Sequence, residues 1–436
     1  MPYVARRLLL ALVVPLVIGY LPLRAQTYQV LYDFTTSSVG VFPSAGLTMD
    51  RAGNLYGTTL QSGNGGAGGV FRLTRSGSGW VFTPLYAFTG GVDGGNPTAR
   101  VIFGPNGTLY GTTTSGGSSH GCYGGPCGVV FNLRPGRCAV GSCPWVETVL
   151  YSFNGGNDGA FPHSEVVFDR AGDIFGTTYS GGQGGVGTVY KLIPSQGGWS
   201  ESVIYNFGGN SGGSPQSGVI LDSNENLYGT TQQGFGYNYG TVYELTPSGA
   251  GWSENTLYSF LEGDDGGQPI GGLLFDTAGN LYGTTSFGGS GGGGTVFELS
   301  HSGSGWAFNL LQSFPGYQQL ATGPHASLTM DSAGNLYGTT YGEEGGPNYG
   351  TVFELSPTSS GWVPTVLHYF DGFDGQLPIS NVIFDASGNM YGTASQGAGY
   401  GAVWEITPER DQLRVDQGRP PLIRGARNLS RVAIDR

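Results

Sequence analysis

A five-residue motif recurs seven times and constrains this chain more than any other feature. It reads LYGTT at Leu55–Thr59, Leu109–Thr113, Leu227–Thr231, Leu281–Thr285 and Leu336–Thr340, IFGTT at Ile174–Thr178, and MYGTA at Met390–Ala394. Its aromatic residues (Tyr56, Tyr110, Phe175, Tyr228, Tyr282, Tyr337, Tyr391) are spaced by 54, 65, 53, 54, 55 and 54 residues. A period this long and this regular marks a propeller or array, in which one supersecondary unit buries its apolar face only by stacking on the next. Glycine, 83 of 436 residues, is abundant enough to suggest low complexity. Aromatics make up 13% of the chain and recur at fixed positions, so a core can nonetheless be buried.

Each period holds four strand-like stretches, a to d. Strand a is a short apolar run such as 272–275 or 382–384. A turn of the type Asp276-Thr277-Ala278-Gly279-Asn280 follows, with Asp opening it and Gly free to take positive φ. Strand b is the LYGTT stretch. A glycine-rich loop leads to strand c (295–299, 351–355), and a Ser/Gly turn leads to strand d. Strand d opens with Trp and closes on apolar and aromatic residues. In 252–260 a period of two puts Trp252, Thr256, Tyr258 and Phe260 on one face. Four short antiparallel strands in about 54 residues make one propeller blade. The ends of the repeat region agree. Residues 28–34 (YQVLYDF) match strand d with no a, b or c before them, and the last repeat stops at strand c, 402–407. Pairing the two closes a ring and removes two sheet edges. The expectation is an all-β, seven-bladed β-propeller with four antiparallel strands per blade, closed by the N-terminal strand.

The pattern D-x-x-G-N-L-Y-G-T-T, a glycine loop and G-T-V-F-E-L resembles the bacterial GloVer tandem repeat of "choice-of-anchor" proteins, over roughly residues 27–407. The resemblance implies a surface-associated repeat protein and says almost nothing about chemistry. Members of that family carry C-terminal sorting anchors. Residues 409–436 differ: they are Arg-rich, contain Pro420-Pro421 and lack an apolar tail.

The domain reading follows. Residues 1–25 are read as a signal peptide, with Arg6 and Arg7 before an apolar run at 8–21 and Ala25 at the cleavage point. The run is shorter than the roughly 20 residues of a membrane span, so no span remains after cleavage. Residues 26–408 form the propeller, and 409–436 a basic tail expected to be disordered. Residues 25–408 carry eight cations against 26 acids, a net of about −18. Such a surface repels phosphate backbones and excludes nucleic acid as a partner. Secretion, or a periplasmic or cell-surface location, and a monomeric state are expected.

With strand a innermost, the d-to-a connections and b-to-c loops share one face, and the short turns the other. Loops of variable length on a rigid scaffold commonly carry binding. Among the b-to-c aromatics, Phe235, Tyr237, Phe287 and Tyr341 are ligand-binding candidates, able to stack on sugars or contact protein. Tyr239, Tyr349 and Tyr400, just before strand c, are read as packing between blades. Asp93, Asp158, Asp265 and Asp374 each begin an Asp-Gly in a d-to-a connection. They are calcium candidates, or turn formers; no other cofactor is indicated. Cys122, Cys127, Cys138 and Cys143 all lie in the one long repeat. In an exported chain they read as the disulfides Cys122–Cys127 and Cys138–Cys143, since strand c separates the pairs by roughly 20 Å. A four-thiolate zinc site is the alternative. His163 and His325 fall near the starts of two a strands and could approach a channel, and His368 in strand d reads as structural. Phosphate-loop, nucleophile-elbow and His-Glu-x-x-His motifs are absent. No catalytic residue is assigned. The expected function is non-enzymatic binding or scaffolding of a glycan or protein through the loop-rich face. The alternative is a polysaccharide lyase or hydrolase with its site at the channel mouth.

Overall fold

The computed structural model describes residues 26–35, 40–62, 66–122, 125–137, 143–234, 239–249, 251–303, 305–316, 323–342, 349–397 and 399–408. Seven four-stranded antiparallel sheets form a ring of blades. In blade 1 the strands are a (Thr48–Met49), b (Leu55–Thr59), c (Gly69–Ser76) and d (Gly79–Ala87). Blades 2 to 6 repeat this order. Blade 7 takes a (Ile383–Phe384), b (Met390–Ala394) and c (Ala402–Pro408) from the end of the repeat and its d strand, Gln26–Asp33, from the start. The closure expected from the unmatched ends is therefore present. Tyr28 of the closing strand stacks on His368 of blade 6 at 3.7 Å between ring centres and donates to the Asp374 carbonyl at 2.7 Å.

Every residue of each b strand is buried, because it lies between strands a and c of its own sheet and between two neighbouring blades. The side chains of the motif divide the work. The leucine fills one blade interface and the tyrosine the other, as with Leu55 and Tyr56. The glycine leaves room for the aromatic ring opposite it on strand c: Phe71 lies over Gly57, Tyr190 over Gly176, Trp404 over Gly392. The first threonine reaches the next blade. Thr58, Thr112, Thr177, Thr230, Thr284, Thr339 and Thr393 donate to the carbonyls of Ala99, Ser164, Ser217, Gly271, Ala326, Ser380 and Ala45 at 2.8–3.2 Å. The last of these joins blade 7 to blade 1. The second threonine stays at home: in blades 3 to 6 its hydroxyl accepts the backbone N–H of the residue opposite it on strand c, as Thr178 does from Thr188 at 3.1 Å.

The a-to-b turn explains the rest of the repeat. Asp50 accepts the N–H groups of Ala52 and Asn54 at 2.9 Å, the Asn54 amide at 2.7 Å and the Tyr56 hydroxyl at 3.1 Å. Asp276, Asp331 and Asp385 repeat all four bonds. Blade 3 changes several members of this set together. Phe175 replaces the tyrosine, Asp173 the asparagine, and Lys191, the chain's one lysine, stands opposite on strand c. Its ammonium is 2.7 Å from Asp173, 3.6 Å from Asp169 and 5.0 Å from the centre of the Phe175 ring.

The core is interfacial. Seven buried clusters each take side chains from two neighbouring blades. Phe175, Val189 and Phe207 of blade 3 meet Val219, Leu227 and Tyr243 of blade 4. Tyr391 and Val403 of blade 7 meet Leu47, Leu55 and Phe71 of blade 1. One expectation is corrected here. The residues Trp252, Thr256, Tyr258 and Phe260 do not share a face. The c–d register shifts between Val242 and Tyr243, so that Leu257 is an extra, bulged residue. A bulge changes the phase of the alternation. Trp252 accordingly packs toward blade 3 and Tyr258 and Phe260 toward blade 5. The d strands of blades 1 to 6 all carry the same shift.

Thr177→Val tests the inter-blade bond. It removes the donor to the Ser217 carbonyl while nearly keeping volume, and an unsatisfied buried acceptor costs about 1–3 kcal/mol. Denaturant unfolding should show that loss, and Thr177→Ser should recover most of it. An unchanged midpoint for the valine variant would contradict the role given to this bond.

Candidate functional site

The seven a strands and the residues leading into them surround a central channel of about 870 Å³. Their alternation decides what faces it. Counting back from the motif's aromatic residue, positions 11 and 9 are buried in the walls: Ala45 and Leu47 in blade 1, Ser164 and Val166 in blade 3. Positions 12 and 10 line the channel in every blade, and position 8 in blades 4 to 7. At the loop-face mouth, position 12 is Ser44, Thr98, His163, Gln216, Ile270, His325 and Ile379. Position 10 is Gly46, Arg100, Glu165, Gly218, Gly272, Ser327 and Asn381. Position 8, where it lines the channel, is mostly apolar: Ile220, Leu274, Thr329 and Ile383. The channel thus runs from a mixed polar mouth to an apolar waist.

At the mouth three position-12 side chains meet the residue that follows their own motif stretch. His325 stacks on Tyr341 with ring centres 4.6 Å apart and planes 20° apart. His163 lies 5.3 Å from Tyr179 at a tilt of 57°. The Gln216 amide donates to Gln232 at 2.8 Å. Burial lowers both imidazoles from their ordinary value to about 4. Near pH 7 they are therefore neutral, each with one N–H donor and one acceptor. One layer down, Arg100 pairs with Glu165 at 3.3 Å, and among the described residues Arg100 is the one Lys or Arg side chain lining the channel. The channel mouth thus carries hydrogen-bonding groups of both senses and aromatic faces. Among the described residues, no three or more His, Cys, Asp or Glu side chains are grouped to hold a metal ion.

A backbone feature frames this mouth. In all seven repeats the residue 14 before the motif's aromatic has positive φ, and proline follows it. Phe42, Asn96, Phe161, Ser214, Gln268, Gly323 and Leu377 have φ of 52–63° and precede Pro43, Pro97, Pro162, Pro215, Pro269, Pro324 and Pro378. Left-handed backbone outside glycine is costly and often marks a functional site. Here it has a structural cause. The N–H of each such residue bonds the preceding blade, as Phe161 to the Cys127 carbonyl at 2.9 Å. Its carbonyl accepts from its own blade, as Phe161 from Tyr179 at 3.1 Å. The proline packs over a positive-φ glycine before strand c of the preceding blade, where a Cβ would clash, as Pro162 over Gly128.

The sequence candidates fall as follows. Tyr341 stands at the mouth with His325. Phe287 is half-buried one blade earlier and pairs through its backbone with Gly267. Phe235 and Tyr237 lie outside the described residues. Tyr239 and Tyr349 pack in the clusters between blades 4 and 5 and between blades 6 and 7, and Tyr400 meets Phe42 at 5.6 Å. Asp93, Asp158, Asp265 and Asp374 stand in four separate connections, and each clasps the end of the preceding d strand. The hydroxyls of Tyr86, Tyr151 and Tyr258 donate to the first three at 3.1, 2.8 and 3.0 Å, and His368 stands 2.8 Å from the fourth. Each also accepts a backbone N–H, from Thr89, Asn154, Leu261 and Asp371. Cys122 and Cys127 form a disulfide, buried with Phe153 and Ala160 between blades 2 and 3. Cys143 is disulfide-bonded too; Cys138, its expected partner, lies outside the described residues. Sequence reading missed three features: the His–Tyr pairing, the Arg100–Glu165 pair and the x-Pro latch. Only the last had a clear signal, a proline at one fixed position in all seven repeats.

Comparison with known proteins agrees on the class. The Gloeobacter/Verrucomicrobia repeat family matches residues 18–167 and 167–406. The chain belongs to that family. No curated protein matches it. Among solved structures, PorZ, a surface component of the type-IX secretion system of Porphyromonas gingivalis, is 13% identical with a TM-score of 0.50. That likeness covers 87% of this chain and 48% of PorZ, and shows the fold alone. A PQQ-bound aldose sugar dehydrogenase from Streptomyces coelicolor is 12% identical (TM-score 0.43, covering 88% and 99%). A gluconolactonase from Xanthomonas campestris is 14% identical (TM-score 0.40, covering 70% and 82%).

The half-buried imidazoles give a pH signature. A histidine held neutral in the fold favours folding above its unfolded value near 6.5, and that contribution is lost as pH falls toward 4. An NMR titration should place both imidazole midpoints near 4. Midpoints near 6.5 would contradict their burial.

Proposed function

We propose that this is an exported, non-enzymatic binding propeller that engages a glycan through its loop-rich face, with the channel mouth as the centre of recognition. The observation that carries the reading is the mouth itself. Neutral imidazoles backed by tyrosines, paired glutamine amides and small hydroxyl side chains offer donors, acceptors and ring faces without a concentrated charge. Sugar hydroxyls require that mixture, and sugar rings stack on aromatic faces. The surrounding rim adds contact area. The three most exposed large apolar side chains among the described residues all lie in d-to-a connections: Phe373 at 80%, Val92 at 70% and Leu261 at 64%. Apolar tips on one polar face suit a macromolecular ligand. Export is supported by the N-terminal apolar run and by the Cys122–Cys127 disulfide.

A glycan array and a polysaccharide-turnover screen, run on the full chain with and without calcium, test this. The expected result is saturable glycan binding without turnover. His325→Ala/Tyr341→Ala should weaken it at least about tenfold, the effect of losing about 1.4 kcal/mol. Turnover of any polysaccharide would overturn the reading in favour of an enzyme, and binding unchanged in the double variant would move the site away from the mouth.

A further inference from the structure

A second set of groups lies away from the channel, between the outer strands of neighbouring blades. The d-strand residue opposite the last core leucine of strand c differs from blade to blade. It is Phe82 in blade 1, Glu147 in blade 2, Glu201 in blade 3, Glu254 in blade 4 and Phe308 in blade 5. This side chain faces the Tyr–Asp clasp of the preceding blade. Where it is phenylalanine, the tyrosine stacks on it: Tyr258 on Phe308 and Tyr32 on Phe82, both at 4.4 Å. Glu254 faces Tyr205 at 3.5 Å, and there Ser211 takes the place of the clasp aspartate. Among the described residues, a glutamate faces an aspartate only at the interfaces of blades 1 with 2 and 2 with 3.

At those two interfaces the hydrogen bonds do not close if both acids are ionised. The Tyr151 hydroxyl has one proton, and it goes to Asp158 at 2.8 Å. Glu201 competes with Asp158 for that same hydroxyl proton, so one of the two acids is left without it unless a carboxyl supplies a proton of its own. One oxygen of Glu201, one of Asp158 and one of Glu147 are buried without a partner. Among the described residues, no Lys or Arg pairs with either glutamate. Glu201 is faced by Tyr151 and Asp158 across the interface, by neutral Asn132 on the facing c strand, and by Tyr190 within its own blade. Glu147 is faced by Tyr86 and Asp93, while Arg72 on the facing c strand is turned to Tyr56.

The geometry points to a proton-linked clamp: Glu147 and Glu201, each set against the Tyr–Asp clasp of the preceding blade with a buried oxygen left unpartnered, keep a proton that holds the outer edges of blades 1, 2 and 3 together and is released as the surroundings become alkaline. Burial first, and the facing aspartate second, push both glutamates up to about 7 from an ordinary value of 4.5. A carboxyl raised by folding stabilises the fold fully below its unfolded value and loses that contribution as pH rises through its folded value. The window is therefore about pH 4.5 to somewhat above 7, opposite in sense to the two channel histidines.

Thermal unfolding of the full chain between pH 6 and 8.5 tests the clamp. The wild-type midpoint should fall by a few degrees across that range. Glu147→Gln/Glu201→Gln should flatten the dependence and melt above wild type at pH 8.5, whereas Glu254→Gln should leave it unchanged. Asp93→Ser/Asp158→Ser, which copies Ser211, should flatten it too and serves if the glutamine variant folds poorly. The same slope in wild type and both double variants would overturn the proposal. So would a calcium-dependent rise at pH 8.5 that the glutamine variant lacks, because the acids would then be neutralised by a cation.

Discussion

The hydroxyl of the first threonine in each LYGTT stretch bonds a carbonyl that belongs to the next blade, seven times around the ring. That carbonyl belongs to the residue two before the core leucine or valine of the next strand a, so the bond fixes the height at which each blade meets its neighbour. The x-Pro latch fixes the same contact on the loop side, where one left-handed residue ties its N–H to one blade and its carbonyl to another. Between these two belts lie core clusters that all straddle an interface. No blade owns its core, so each depends on both neighbours for burial, and the ring gains its full stabilisation only when it closes.

This frame determines where variation is tolerated. Strand a gives its alternate side chains to the walls, where small and aliphatic residues are required, and leaves the others free. The free positions are the ones at which the repeats disagree: serine, threonine, histidine, glutamine or isoleucine at the mouth, and glycine, arginine, glutamate, serine or asparagine below it. The mouth pairs with the residue after LYGTT within the same blade, histidine with tyrosine and glutamine with glutamine. Recognition can therefore diverge blade by blade without disturbing the belts.

Much of the fold was legible because the forces that set it are local and repeated. The D-x-x-G-N-L-Y run encodes one carboxylate satisfied four ways, and the unmatched d-type strand at 26–33 encodes its own partner. The bulge in strand d was not legible. A single extra residue such as Leu257 leaves no mark in composition, yet it sends Trp252 and Phe260 to opposite faces. The site was only partly legible for a related reason. His163 and His325 could be placed near the channel by counting, but their ring contacts with Tyr179 and Tyr341 join residues 16 apart, flanking the a and b strands. The glutamates of the outer interfaces look like ordinary surface residues in sequence, because the aspartates they meet belong to another blade.

Closure by the N-terminal strand, on which the cooperativity of the ring rests, can be tested in one measurement. Deleting residues 26–33 should expose the edge of strand c in blade 7 and remove the Tyr28 contacts with His368 and Asp374. Thermal unfolding of that truncated chain should lose its single sharp transition, and a synthetic peptide of residues 26–33 added in excess should restore it. A truncated chain that melts in one transition at the full-length midpoint would contradict the account.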